Sequence, residues 1–107
     1  MDTVVLNARP RTVSTKREVG RMRKEGLLPG NIYGPGIEGS IPVAFNSREV
    51  EPLINRTAKE VRAAGNDPRE HIEFTIKLPD KEFKARLGEA QRDVISREFT
   101  HLDFIVK

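Results

Sequence analysis

The sequence predicts an α+β fold built on a mostly antiparallel sheet of about six short strands, few enough to close into a small barrel. Two observations predict it. Apolar residues alternate with period two along several short stretches, most cleanly Ile72, Phe74, Ile76 and Leu78 against His71, Glu73, Thr75 and Lys77. Two other stretches keep a helical period, and they are not regularly interleaved with the strands. The chain has 107 residues, 36% hydrophobic and 33% charged, which suffices for one core and one domain.

Thr3 to Arg9 alternates, with Val4, Leu6 and Ala8 on one face, and Pro10 ends this first strand. Thr15 and Glu18 have the spacing of a capping box, so a helix is expected from near Lys16. Gly26 is placed to stop it in a left-handed cap. Its apolar stripe, Val19 and Met22, is narrow, which leaves Arg17, Arg21 and Lys24 in water. Such a short polar helix is marginal alone.

Asn31 to Gly34 reads as a short strand, followed by a loop through Pro35, Gly36 and Gly39. Ser40 to Asn46 is a further strand carrying Ile41, Val43 and Phe45. Asn46 or Ser47 then caps a helix with Val50, Leu53, Ile54, Ala58, Val61 and Ala64, which keeps its period to Gly65. Pro52 suits a first helical position, so a start or restart is expected there. Thr57 to Pro68 is either a peripheral helix or a disordered loop. After the break at Asn66-Asp67-Pro68 comes the strand beginning at His71, then a turn at Pro79-Asp80-Lys81. Phe83, Ala85 and Leu87 mark the returning strand, Gln91 to Ile95 a separate one, and Phe99 to Val106 the last, with Leu102, Phe104 and Val106 on one side.

Charge is distributed unevenly. From Arg9 to Lys24 there are seven Lys or Arg and one acid, Glu18, in a chain of net charge +3. The block leads through Gly26, Pro29 and Gly30 to Tyr33, the only tyrosine, in a chain without tryptophan. A one-sided cationic block beside an aromatic ring is the footprint of a phosphate-gripping surface; its bland counterpart is a solvated helix face. There is no cysteine, which excludes disulfides and Cys-based zinc sites. No apolar run approaches the roughly 20 residues of a membrane span, and no signal-peptide core is present. A soluble intracellular protein that meets nucleic acid before membrane is the expectation.

His101 and Asp103 form the second feature. Two residues apart on a strand, they project from one face, roughly 6–7 Å apart along the chain, while Leu102 and Phe104 point the other way. They are either the solvent side of an edge strand or hydrogen-bonding groups for base edges and ribose hydroxyls. Catalysis is not expected, because neither His101 nor His71 is accompanied by a nucleophile motif, and no P-loop, G-x-G-x-x-G or HExxH occurs. No metal or cofactor is expected. Gln91 and Arg92 begin a strand from which they reach a groove, or are simply a polar strand end.

An Arg followed a dozen residues later by another, then R-K-E-G-x-x-P-G-x-x-Y-G from Arg23 to Gly34, make one motif. Gln91-Arg92-Asp93 is a second, and His101-Leu102-Asp103-Phe104 a third. Together, in this order, they resemble the bacterial large-subunit ribosomal protein L-twenty-five family, over nearly the whole chain. The resemblance implies a closed or nearly closed barrel of six to seven mostly antiparallel strands with two or three helices, similar to the anticodon-binding barrels of glutaminyl-tRNA synthetase. It also implies a non-enzymatic constituent of the large (50S) ribosomal subunit, cytoplasmic and on the ribosome. Its partners would be the loop E region of 5S ribosomal RNA and the neighbouring ribosomal proteins, and it would be a monomer when free. By matched position Arg11, Arg23, Tyr33, His101 and Asp103 would contact RNA, with Lys16, Arg21 and Gln91 as secondary candidates. Residues 1–107 would be one RNA-binding domain, without the C-terminal domain of longer relatives. Gly20 departs from the family pattern where a basic residue is frequent, and Val94 where proline is frequent.

Overall fold

A computed structural model describes residues 2–11 and 16–106. The elements are β1 (Asp2–Pro10), α1 (Lys16–Lys24), β2 (Leu27–Tyr33), β3 (Ser40–Asn46), α2 (Ser47–Ala63), α3 (Pro68–His71), β4 (Ile72–Lys77), β5 (Glu82–Arg92) and β6 (Phe99–Val106). The six strands close into one barrel in the order β1-β3-β2-β6-β5-β4, so the sheet pairs its own edges. Four ladders are antiparallel, as expected, whereas β1–β4 and β2–β6 are parallel, so the sheet is mixed.

Closure depends on β1 serving two neighbours. Asp2 to Asn7 run along β4, and Ala8 to Pro10 turn to pair with β3. Inside, Phe104 of β6 meets Phe45 of β3 and Phe74 of β4 edge-to-face, with ring centroids 5.5 and 5.2 Å apart. Val4, Leu6, Ile32, Ile76 and Leu102 fill the rest. The predicted alternation of Ile72, Phe74, Ile76 and Leu78 is the buried row of β4 and its continuation. Along α2, Val50, Ile54, Ala58 and Val61 recur at helical spacing and are all buried.

The helix ends follow from local chemistry. Gly26, at φ +80°, closes α1 with its N–H donating to the Arg23 carbonyl. The expected capping pair of Thr15 and Glu18 lies outside the described residues. The Asn46 side chain accepts from the Arg48 N–H at the start of α2. Its other end is a Schellman motif, Asn66 N–H to Val61 and Gly65 N–H to Arg62.

Four sequence expectations are revised. First, α2 neither starts nor restarts at Pro52 but passes through it. Pro52 and Arg48, whose carbonyl loses its partner, are both exposed, so water can replace that bond. Second, His71 belongs to α3 rather than to the strand after it; of the two readings of Thr57 to Pro68, the helix holds as far as Ala63, its inner side fixed by Thr57, Ala58 and Val61. Third, β2 begins at Leu27, not Asn31. Pro29 fits because the parallel ladder to β6 starts only at Gly30, so β2 has a single neighbour there. Fourth, the two strands expected between Phe83 and Ile95 are one strand, β5, which ends at Arg92. Register shifts at Leu87/Glu89 and Gln91/Arg92 break its alternation without ending it. The α3 helix is a single turn capped by Asp67 with Pro68 behind it.

Candidate nucleic-acid interface

The barrel wall made by β2, β6 and β5 collects four of the eight sequence-predicted site residues on its outside. Ile32, Leu102 and Phe104 are buried, and period two turns Asn31, Tyr33, His101 and Asp103 outward. Register then sets them side by side: Asn31 is opposite Asp103 across the parallel ladder, and Gln91 is opposite His101 across the antiparallel one. The bulge after Leu87 brings Glu89 opposite Asp103 and keeps Gln91 on this face. Gly88, inside the bulge, leaves room for Tyr33, whose hydroxyl lies 3.0 Å from where a Cβ would stand.

Three side chains at the centre hold one another. His101 Nδ1 is 3.2 Å from Asp103 Oδ1, and the Asn31 amide nitrogen is 3.3 Å from His101 Nε2 and 3.5 Å from the same carboxylate oxygen. With Nδ1 protonated and Nε2 accepting, a neutral imidazole satisfies all these contacts. The His101 and Asp103 side chains are 25% and 18% exposed, so they are fixed in place while still reachable. Asn31 is the member that sequence reasoning missed. Its signal is the spacing to Tyr33, two residues on along the same strand face.

The cations come mainly from elsewhere. Arg23, in the last turn of α1, points its guanidinium at Asp93, 3.9 Å away, in the turn that follows β5. The Asp93 carboxyl accepts the Ser96 and Ile95 N–H groups, and these bonds hold its pKa below the usual carboxylate value. Since Gln91 is two residues before Asp93, the Arg23 guanidinium reaches toward the Gln91 end of the outer face, while α1 itself packs on β2. Arg21 is exposed on α1. Lys16 opens that helix, and its side chain lies outside the described residues.

Arg11 is placed differently from the rest. Its Nε donates to the Val43 carbonyl at 2.8 Å and its Nη2 to the Gly30 carbonyl at 3.3 Å. Burial lowers its pKa, though a guanidinium stays charged. Two of its five N–H donors thus brace β3 and β2.

The arrangement suits recognition. Around Asp103 the outer face offers amide, imidazole, phenol and carboxylate groups, with Glu89 as a second acid. A cation of the wall itself, Arg86, stands farther along, opposite Ile105. Toward a polyanion, α1 would supply most of the attraction and the wall the discrimination.

The sequence matches the model of the Ribosomal L25p family over residues 6–104. It is 30% identical over 105 residues to "Large ribosomal subunit protein bL25B" of Symbiobacterium thermophilum, covering 94% of this chain and 46% of that protein. It is 32% identical over 91 residues to "Large ribosomal subunit protein bL25" of Helicobacter pylori strain G27, covering 85% and 44%. The Helicobacter acinonychis protein of the same name is 31% identical over the same shares. The chain thus spans about half the length of these curated relatives.

Proposed function

Because the chain belongs to the Ribosomal L25p family, we propose that it is a structural, non-enzymatic constituent of the large ribosomal subunit and that it binds 5S ribosomal RNA at loop E. Residues 1–107 would act as one RNA-binding domain, in the cytoplasm and on the ribosome. The observation that carries this reading is the gathering of Asn31, Tyr33, Gln91, His101 and Asp103 on one outer face, with Arg23 beside its end.

Regular A-form RNA hides its base edges in a deep, narrow groove, so a wall of short polar side chains needs an irregular helix to read. Arg23 and Arg21 take phosphates and set the orientation, while Tyr33, His101 and Asp103 read what is unusual in the helix. A carboxylate beside RNA repels it unless it accepts an amino or hydroxyl proton. Asp103 therefore discriminates more than it attracts.

The direct test is an electrophoretic shift with 5S rRNA carrying an intact or a regularised loop E. Binding only to the intact form is expected; equal binding to both removes the proposed target. Asp103→Ala should weaken the cognate complex by roughly 1–3 kcal/mol and leave binding to an unrelated duplex unchanged. Equal losses on the two RNAs would mean that the carboxylate does no reading. Arg23→Ala should weaken both and lower the salt slope of log K by about one phosphate contact. A slope that stays put removes the phosphate role of Arg23.

A further inference from the structure

Val94 and Ile95 are each 94% exposed, side by side in the turn between β5 and β6. The turn that carries them is tightly held. Asp93 Oδ1 accepts the Ile95 and Ser96 N–H groups at 2.9 and 3.0 Å, the Asp93 N–H donates to the Glu98 carbonyl, and the Arg97 N–H donates back to the Asp93 carbonyl. Arg92 stacks over the Phe99 ring, 4.1 Å from its centroid, and donates to the Arg97 carbonyl. Arg97 takes a left-handed φ of 63°, which places the strain of a non-glycine residue in this loop. Two aliphatic side chains are thus held out in water by a framework that gives them no cover, and each stands to gain substantially from burial.

What adjoins the turn indicates what covers them. Glu98 and Phe99, at its far end, line a groove of about 520 Å³ with three cations, Arg23, Lys24 and Arg48, and a second acid, Glu51, whose carboxylate accepts the Phe99 N–H. Asp93, at its near end, faces Arg23. A groove whose cations outnumber its acids by one would alone take any anion, and an apolar tip alone would suit a protein surface. Side by side they match a sugar–phosphate backbone, where the C–H faces of ribose alternate with charge. In A-form RNA the ribose edges, with their 2′-hydroxyls, line the wide, shallow minor groove, which a short turn can enter.

We propose that the β5–β6 turn is a separate RNA-contacting element, in which Val94 and Ile95 pack on ribose in a shallow minor groove while Arg23, Lys24 and Arg48 take the adjoining phosphates. This rests on the reading that the chain binds 5S rRNA, and it adds a contact that reads shape and the sugar rather than bases. It is independent of the wall formed by Asn31, His101 and Asp103.

The test is the double variant Val94→Ser, Ile95→Ser in an electrophoretic shift with 5S rRNA at two salt concentrations, beside the unaltered chain. Both side chains lie in solvent, so the thermal unfolding midpoint should not fall. Affinity should drop about tenfold with an unchanged salt slope, since no ion pair is removed. Unaltered affinity of the variant, with the parent chain binding normally, overturns the turn's role and leaves the proposed function standing. The turn's role falls equally if the variant keeps its RNA affinity but no longer enters 50S subunits, an outcome that assigns the tip to a protein neighbour. If the parent chain itself fails to bind, the proposed function falls and this contact with it.

Discussion

Phe104→Ala should lower the stability of the barrel by about 3–5 kcal/mol, read as a shift of the urea midpoint at constant slope. The ring is fully buried and meets Phe45 and Phe74 edge-to-face, from a strand two places away from each of theirs around the barrel. Its removal takes away the transfer free energy of a large side chain, two aromatic contacts and the filling of the barrel's centre. Domains of this kind are held by only about 5–15 kcal/mol in total, so a sizeable unfolded fraction is expected at body temperature. Phe104→Leu should cost clearly less. A loss below about 1 kcal/mol for the alanine variant would mean that the three rings are not the mechanical centre of the fold.

Gly30→Ala should be comparably damaging, for a different reason. A methyl group there would lie within the van der Waals envelope of the Leu102 carbonyl oxygen and 2.9 Å from Phe45 Cε2. The first of these is backbone, so relief requires moving β6 away from β2 at the place where their parallel ladder begins. A cost near the top of the overpacking range, about 3 kcal/mol, is expected in chemical unfolding. Asn31 and Asp103 adjoin this point in register, so 5S rRNA binding should weaken even at temperatures where the variant stays folded. A variant with parental stability and affinity would show that the strands can separate there without consequence.

The elements with clean periodicity were legible in the sequence, and those that depend on distant partners were not. Ile72 to Leu78 and Leu102 to Phe104 alternate because one side of each strand faces an apolar interior. From such a row the outward direction of His101 and Asp103 follows directly. Nothing local announces that β2 and β6, or β1 and β4, run parallel. The pairing is settled by closure, which leaves each of these strands one remaining neighbour. The continuity of β5 was hidden by its bulge, since an extra residue at Gly88 resets the alternation and imitates a strand end. Arg11 was hidden by its company. Within a run of cations it reads as a solvated charge, whereas the carbonyls of Val43 and Gly30 hold it half-buried against the sheet. The short α3 was missed, because Asn66-Asp67-Pro68 reads as a break, although Asp67 and Pro68 are also a cap and first-turn pair.

The position of β6 between β2 and β5 has a bearing on biosynthesis. Asn31 and Asp103 are separated by 72 residues of chain, which a ribosome takes about 4–14 s to add. Until then the nascent polypeptide has its cationic helix but no reading wall. Under the proposed function, an unfinished copy would hold RNA only through non-specific charge, and selectivity would arrive together with β6.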